Sequence, residues 1–386
     1  MATITKRNGG YRISVSCGYR ENGQQIRRTM TYKPTPGMTD RQIQKAVAKA
    51  AMDFEDKCKT GYSAEKITLQ GYFERWLTIK DNEREIKTMH HYRQLTDRIY
   101  PELGHIRLDK LTPMHIQEFY SKLATTISER TGKLLSKETQ LHYHRLLSSV
   151  LRDAYKLQVI DRDIMSRVTA PKADKPTKRI LDDAQSKRFV AALLDEPDIR
   201  KKMALLLLIF LGCRIGELLG LEWTDINYQD CAITINRASQ YVGRQTITTT
   251  PKNETSIRTV SLPAELFPLI REYRAFWVDY SQYVDINHNR LFIQKDNGKP
   301  IFISTINKWL KKFLEDNGLP IVSVHSLRHT NITLQVLNGV PLRQVSARAG
   351  HATMTTTANI YSHALQSADK AAADKLGEVL PLVKLQ

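Results

Sequence analysis

Cysteine is scarce in this chain. Four occur in 386 residues (Cys17, Cys58, Cys213 and Cys231), far apart and without a Cys-x-x-Cys pair. That spacing argues against a disulfide framework and a cysteine-rich zinc module, and it fits a reducing, cytoplasmic compartment. Long apolar runs are missing too. The most apolar stretch, Ala204 to Cys213 (ALLLLIFLGC), has about half the ~20 residues a bilayer-spanning helix needs, so it reads as a buried helix. The opening MATITKRNGG lacks the apolar core of a signal peptide. Acidic residues are in deficit: 40 Asp and Glu stand against 58 Lys and Arg, a net charge of +18 at pH 7. Such an excess points to a polyanionic partner, nucleic acid before an anionic membrane; the plainer alternative is a solvated basic surface.

What is present falls into two or three domains, as the length suggests. Residues 1–62 begin with alternation: Tyr11, Ile13, Val15 and Cys17 on one face, Arg12, Ser14 and Ser16 on the other. Asn22-Gly23 supplies a hairpin turn, and Ile26, Met30 and Tyr32 resume the pattern. A helix follows, with Thr39 and Gln42 as a capping box and Ile43, Val47, Ala50, Phe54 and Cys58 at helical spacing. This small sheet with one helix carries Arg12, Arg20, Arg27 and Arg28, and a basic ribbon of that kind can enter a major groove. An accessory domain with a solvated sheet face is the alternative.

Residues 66–170 read as all-helical. Leu69, Phe73, Trp76 and Leu77 mark a first helix; Thr88 can cap a second, which stops at Tyr100-Pro101. Thr112-Pro113 opens a third and Ser136 a long fourth. The histidines of this segment form no ligand set. Residues 171–180 (PKADKPTKRI) have the composition of a basic linker, able to lie on DNA or to act as a plain tether. Residues 181–386 mix helices with strands at 231–236, 246–250 and 256–262, an α+β pattern.

The chemistry-bearing residues gather in this last segment. Leu211-Gly-Cys-Arg-Ile-Gly-Glu-Leu218 places Arg214 and Glu217 three apart on one helical face after an apolar run. A cation there needs a partner, and Glu217 could be it. The sharper reading is a guanidinium held rigid and aimed at a phosphate. His325-Ser-Leu-Arg-His-Thr330 aligns His325, Arg328 and His329; the glutamate of a metal-binding HExxH is absent, so no metal is expected. Gly350-His351 and Tyr361 follow closely. Two arginines can clamp phosphodiester oxygens, histidines can move protons, and a tyrosine can attack. A tyrosine with a pKa of ~10 is about a thousandth ionised at pH 7, so it needs a base and a cationic pocket.

In their order, Arg214, the HSLRH stretch, the GH pair and the IYSH tyrosine resemble the tyrosine recombinase (phage integrase) family over roughly residues 180–370. The two preceding segments resemble the arm-type and core-type DNA-binding domains of integrases from phages and conjugative transposons, a match of architecture. The resemblance implies three parts: a small β-sheet plus helix arm-binding domain, an all-α core-binding domain and a mixed α+β catalytic domain. It implies that Arg214 and Arg328 clamp the scissile phosphate, that Glu217 supports Arg214, and that His325 and His351 assist with the proton. Tyr361 would form a 3′-phosphotyrosyl link, with Lys252, in TPKNETSIRTV, protonating the 5′-oxygen. No cofactor, metal or ATP is needed. The partners implied are double-stranded attachment sites, a homotetramer, an excision factor and a host DNA-bending protein, with no membrane. The helical tail after Tyr361 would pack on a neighbouring subunit or close its own domain. Leu211, Cys213 and Ala349 depart from the family's usual residues at packing positions. The alternative is a non-catalytic DNA-binding regulator with the same fold, which loss of a clamp residue would favour; each is present.

Overall fold

The computed structural model describes residues 2–350, except 8, 20–23, 60–66, 130, 174–178, 244, 250–256, 282–289 and 295–297. Arg20, the Asn22-Gly23 turn, Lys252, His351 and Tyr361 therefore lie outside the described residues. The chain divides into two compact units, 1–175 and 176–386.

The first unit opens with an antiparallel meander, β1 (Thr3–Arg7), β2 (Gly10–Tyr19) and β3 (Gln25–Tyr32), followed by α1 (Asp40–Lys59). Ile13 and Val15 are buried on one face, where α1 lays Val47 and Ala51 against the sheet. Period-2 alternation then decides where the arginines go. Arg12 lies opposite Thr31 and Arg27 opposite Ser16, both on the exposed face; Arg28 lies opposite Val15, half-buried on the helix side. The Thr39 backbone N–H donates to Gln42 Oε1 (2.9 Å), as the capping pattern anticipates. Cys17 and Cys58, distant in sequence, come close enough to influence each other: burial first, and then Cys17, raises the Cys58 thiol to about 11.

The helical part holds α2 (Leu69–Asp81), α3 (Ile86–Ile99), α4 (Pro113–Thr125) and α5 (Lys137–Lys156) around a core that includes Phe73, Trp76, Ile116 and Leu147. Thr112 and Ser136 cap α4 and α5 as expected. Two boundaries differ. Thr88 lies inside α3, which starts at Ile86 without a side-chain cap. At Tyr100-Pro101 the chain runs on through a π turn to Gly104, whose wider winding accommodates a residue without an N–H. Two of the histidines serve structure: His115 Nδ1 accepts from the Thr112 N–H (3.2 Å), and His144 Nδ1 pairs with the Tyr120 hydroxyl (2.9 Å).

The second unit is built on α7 (Ile199–Leu211), in which Met203 to Leu208 and Leu211 are buried. Around it pack α6 (Asp183–Leu194), α8 (Ile215–Gly220), α9 (Leu266–Ser281), α10 (Ile303–Asp316) and α11 (Val324–Leu337); α12 (Leu342–Ala349) follows α11. Beside them lie a three-stranded antiparallel sheet, β4 (Ile226–Asn227), β5 (Ala232–Ile235) and β8 (Arg258–Ser261), and a hairpin, β6 (Ala238–Val242) with β7 (Gln245–Thr249). Strand β6 has no clear alternation in sequence. It is a strand by its pairing with β7, and α8 packs closely on it: a Cβ at Gly216 or Gly220 would lie 3.0 Å from the Ser239 carbonyl oxygen or 2.7 Å from that of Arg237.

Candidate active site

Arg214 stands where a helix begins. Gly212 ends α7 in the left-handed region (φ 59°) and turns the chain so that Arg214 becomes the N-cap of α8. A Cβ on Gly212 would collide with the Asn331 side chain, so glycine is needed for space as well as for φ. Asn331 Nδ2 donates to the carbonyl of Ile209 (2.8 Å), one of those left unpaired at the helix end.

Glu217 completes the N-terminal cap of the new helix. Its carboxylate accepts from the Arg214 backbone N–H (2.9 Å) and from the Arg214 guanidinium (2.8 Å). The Glu217 side chain is 7% exposed and that of Arg214 46% exposed. The guanidinium is thus fixed on its protein side and open on the other. A third partner reaches the same carboxylate: Arg258 of β8 donates to Glu217 Oε2 at 2.8 Å and to the Arg348 carbonyl at 2.8 Å.

Arg328, on α11, is 1% exposed. Its two terminal nitrogens donate to the carbonyls of Gly212 (2.8 Å) and Ala349 (2.7 Å), tying the end of α7 to the end of α12. His325, expected on the same helical face, is exposed in the first turn of α11; its ring packs edge-on to the buried His329, centroids 4.6 Å apart. That face therefore dives from solvent into the core. At the far end of α12, Gly350 again takes a left-handed conformation (φ 68°) and delivers the chain to His351.

Arg214, Arg258 and Arg328 share the field of one buried carboxylate, which leaves two positive charges in excess. Burial is the largest influence on Glu217 and pushes its carboxyl up. The Arg258 hydrogen bond and charge, with the Arg214 N–H and charge, outweigh burial and hold it below the usual carboxylate value. Arg328 is pushed down to about 10, first by burial, then by the charge of Arg214; Glu217 only partly offsets this. Burial also raises the Cys213 thiol to about 12, so it stays neutral. Guanidiniums that oppose one another's charge in a desolvated setting are stabilised by an added anion. A phosphate suits the fork geometry.

The structure brings together Arg214, Glu217 and Arg328, and sets His325 at the start of the helix that carries Arg328. Arg258 joins them without having been singled out as a site residue. Its only signal in sequence is its place within the strand-like SIRTVSL stretch; the long-range pairing with Glu217 carries no local pattern. Among the described residues, no three His, Cys, Asp or Glu side chains gather as a metal-ligand set, and no helix is long and apolar enough to cross a membrane.

Residues 179–368 match the phage integrase family, and residues 68–124 match the SAM-like N-terminal domain of phage integrases; together the two matches span more than half of the chain. The chain belongs to the phage integrase family of tyrosine recombinases. It is 27% identical, over 96% of both chains, to a XerC-like tyrosine recombinase of Caldanaerobacter subterraneus subsp. tengcongensis. It is 25% identical to the ICEBs1 integrase of Bacillus subtilis, over 71% of this chain and 72% of that one. In fold it is similar to a Tn1549 transposon integrase in complex with circular intermediate DNA, with a TM-score of 0.66 at 20% identity, covering 80% of this chain and 100% of that one.

Proposed function

We propose that the protein cuts and rejoins DNA at specific sites, integrating and excising a mobile element through a 3′-phosphotyrosyl intermediate. The observation that carries this reading is the excess of guanidinium charge around Glu217 in a chain of this family.

Arg214 and Arg328 hold the non-bridging oxygens of the scissile phosphate and stabilise the charge that grows there. Arg214 is already aimed by Glu217; Arg328 gives up part of its main-chain bonding when the phosphate arrives. Tyr361 attacks phosphorus and its proton passes to His325 or His351. Lys252 protonates the departing 5′-oxygen. The phosphodiester energy is kept in the tyrosyl ester, so a second 5′-hydroxyl reverses the step and no nucleotide is consumed. Cleavage and rejoining on two duplexes require four protomers. Excision factors and a host DNA-bending protein set direction. The exposed face of β1–β3, with Arg12 and Arg27 on one surface, binds the arm-type sites.

The test is a nicked suicide duplex carrying the attachment site, incubated in EDTA and run on a denaturing gel. A covalent protein–DNA band is expected, and Tyr361→Phe is expected to abolish it. A duplex that is bound but yields no band overturns this reading in favour of a DNA-binding regulator.

A further inference from the structure

Arg258 makes contacts that a strand residue chosen only for packing would not need. Its side chain is 6% exposed, so it lies beneath the surface that Arg214 presents. One terminal nitrogen donates to Glu217 Oε2, and Nε donates to the Arg348 carbonyl two residues before the left-handed Gly350. Gly350 is bare on the side where Arg258 lies: a Cβ there would stand 2.7 Å from an Arg258 terminal nitrogen and 3.0 Å from Cζ. Three segments thus meet on one guanidinium: α8, which carries Arg214; β8, in the stretch that follows Lys252; and the end of α12, which leads to His351.

We infer that Arg258 is a positioning residue for strand cleavage, bracing Glu217 and the Gly350 turn together so that the phosphate clamp keeps one geometry. This rests on the recombinase reading. Arg258 does not touch DNA; it acts through Glu217. Without it, Glu217 keeps, among the described residues, only Arg214 as a charged hydrogen-bonding partner. The carboxylate is then free to follow the Arg214 side chain instead of fixing it. The Arg348 carbonyl loses its guanidinium donor at the same time, which loosens the turn. A lysine can reach one of the two acceptors but lacks the fork to hold both.

The experiment measures single-turnover cleavage of the suicide duplex, DNA affinity by gel shift, and melting temperature. It compares wild type, Arg258→Lys, Arg258→Gln, Glu217→Gln and the Arg258→Gln/Glu217→Gln double variant. Arg258→Gln is expected to slow cleavage about 100-fold, the size of effect a small misplacement of catalytic groups produces, with affinity within about threefold of wild type. Arg258→Lys is expected to retain cleavage to within about tenfold of wild type. The double variant is expected to cleave nearly as fast as Glu217→Gln alone, because the two residues act as a unit. Equal cleavage by wild type and Arg258→Gln overturns the inference. So does an additive double variant, which would separate Arg258 from Glu217. If Arg258→Gln melts at low temperature, Arg258→Lys decides: a folded Lys variant with DNA affinity lost in step with cleavage overturns it too. Failure of wild type to form the covalent band counts against the recombinase reading itself and is seen separately.

Discussion

Glu217 sets the charge logic of the site at the scale of single residues. It is buried, accepts from two arginines, and has its carboxyl held below the ordinary value of 4.5. A depressed carboxyl contributes stability that is complete above the unfolded-state value and is lost as pH falls through the folded one. Resistance of the protein to urea is therefore expected to fall as pH drops below about 4.5, and Glu217→Gln is expected to flatten that dependence. A Gln variant with the same pH slope as wild type would count against the ion pairs. Arg214→Lys is expected to keep DNA affinity and to slow cleavage by about 100-fold, because an ammonium cannot hold Glu217 and a phosphate in one plane; unchanged cleavage in a single-turnover assay would refute this. Gly212→Ala must accept both a left-handed φ and a clash with Asn331, and is expected to cost about 1–2 kcal/mol or more in denaturant unfolding.

Elements decide which candidate residues face outward. In the N-terminal sheet, four arginines look alike in sequence, but the pleat sends Arg12 and Arg27 to the open face and Arg28 toward α1. Arg12→Ala or Arg27→Ala is expected to weaken binding to an arm-site duplex several-fold. Arg28→Ala is expected to leave that affinity nearly intact, and fluorescence anisotropy would show equal losses if this face is not the reader. In the second unit, α7 is the element against which the others pack. Leu207→Ala, at a fully buried position, is expected to cost roughly 2–5 kcal/mol in urea unfolding.

For the whole molecule, the +18 charge is a long-range property spread over both units. Affinity for attachment-site DNA is expected to fall about 10³-fold or more between 50 and 200 mM salt if six or more phosphates are contacted. A flat salt profile in a filter-binding titration would deny the nucleic-acid reading. Between the two units, residues 171–180 have linker composition. The division into compact units falls at 175/176, within that stretch.

Much of this was legible in the amino-acid order because it is local. Alternation placed β2 and β3, helical spacing placed α2, α4 and α5, and the Thr112-Pro113 and Ser136 signals placed caps, since each depends on neighbours a few positions away. The order Arg, His-x-x-Arg, Gly-His, Tyr identified the family for the same reason: it is a pattern along one chain. What only the tertiary structure decided is everything that depends on partners far away in sequence. Thr88 was passed over as a cap because α3 begins earlier, and Pro101 was absorbed by a π turn. Cys17 found Cys58 across a sheet–helix interface. Arg258 found Glu217 from 41 positions away, and Gly350 is glycine where Arg258 lies against it. Propensity and period are properties of a segment; a buried ion pair or a missing Cβ is a property of the space between segments, which exists only once the chain has folded.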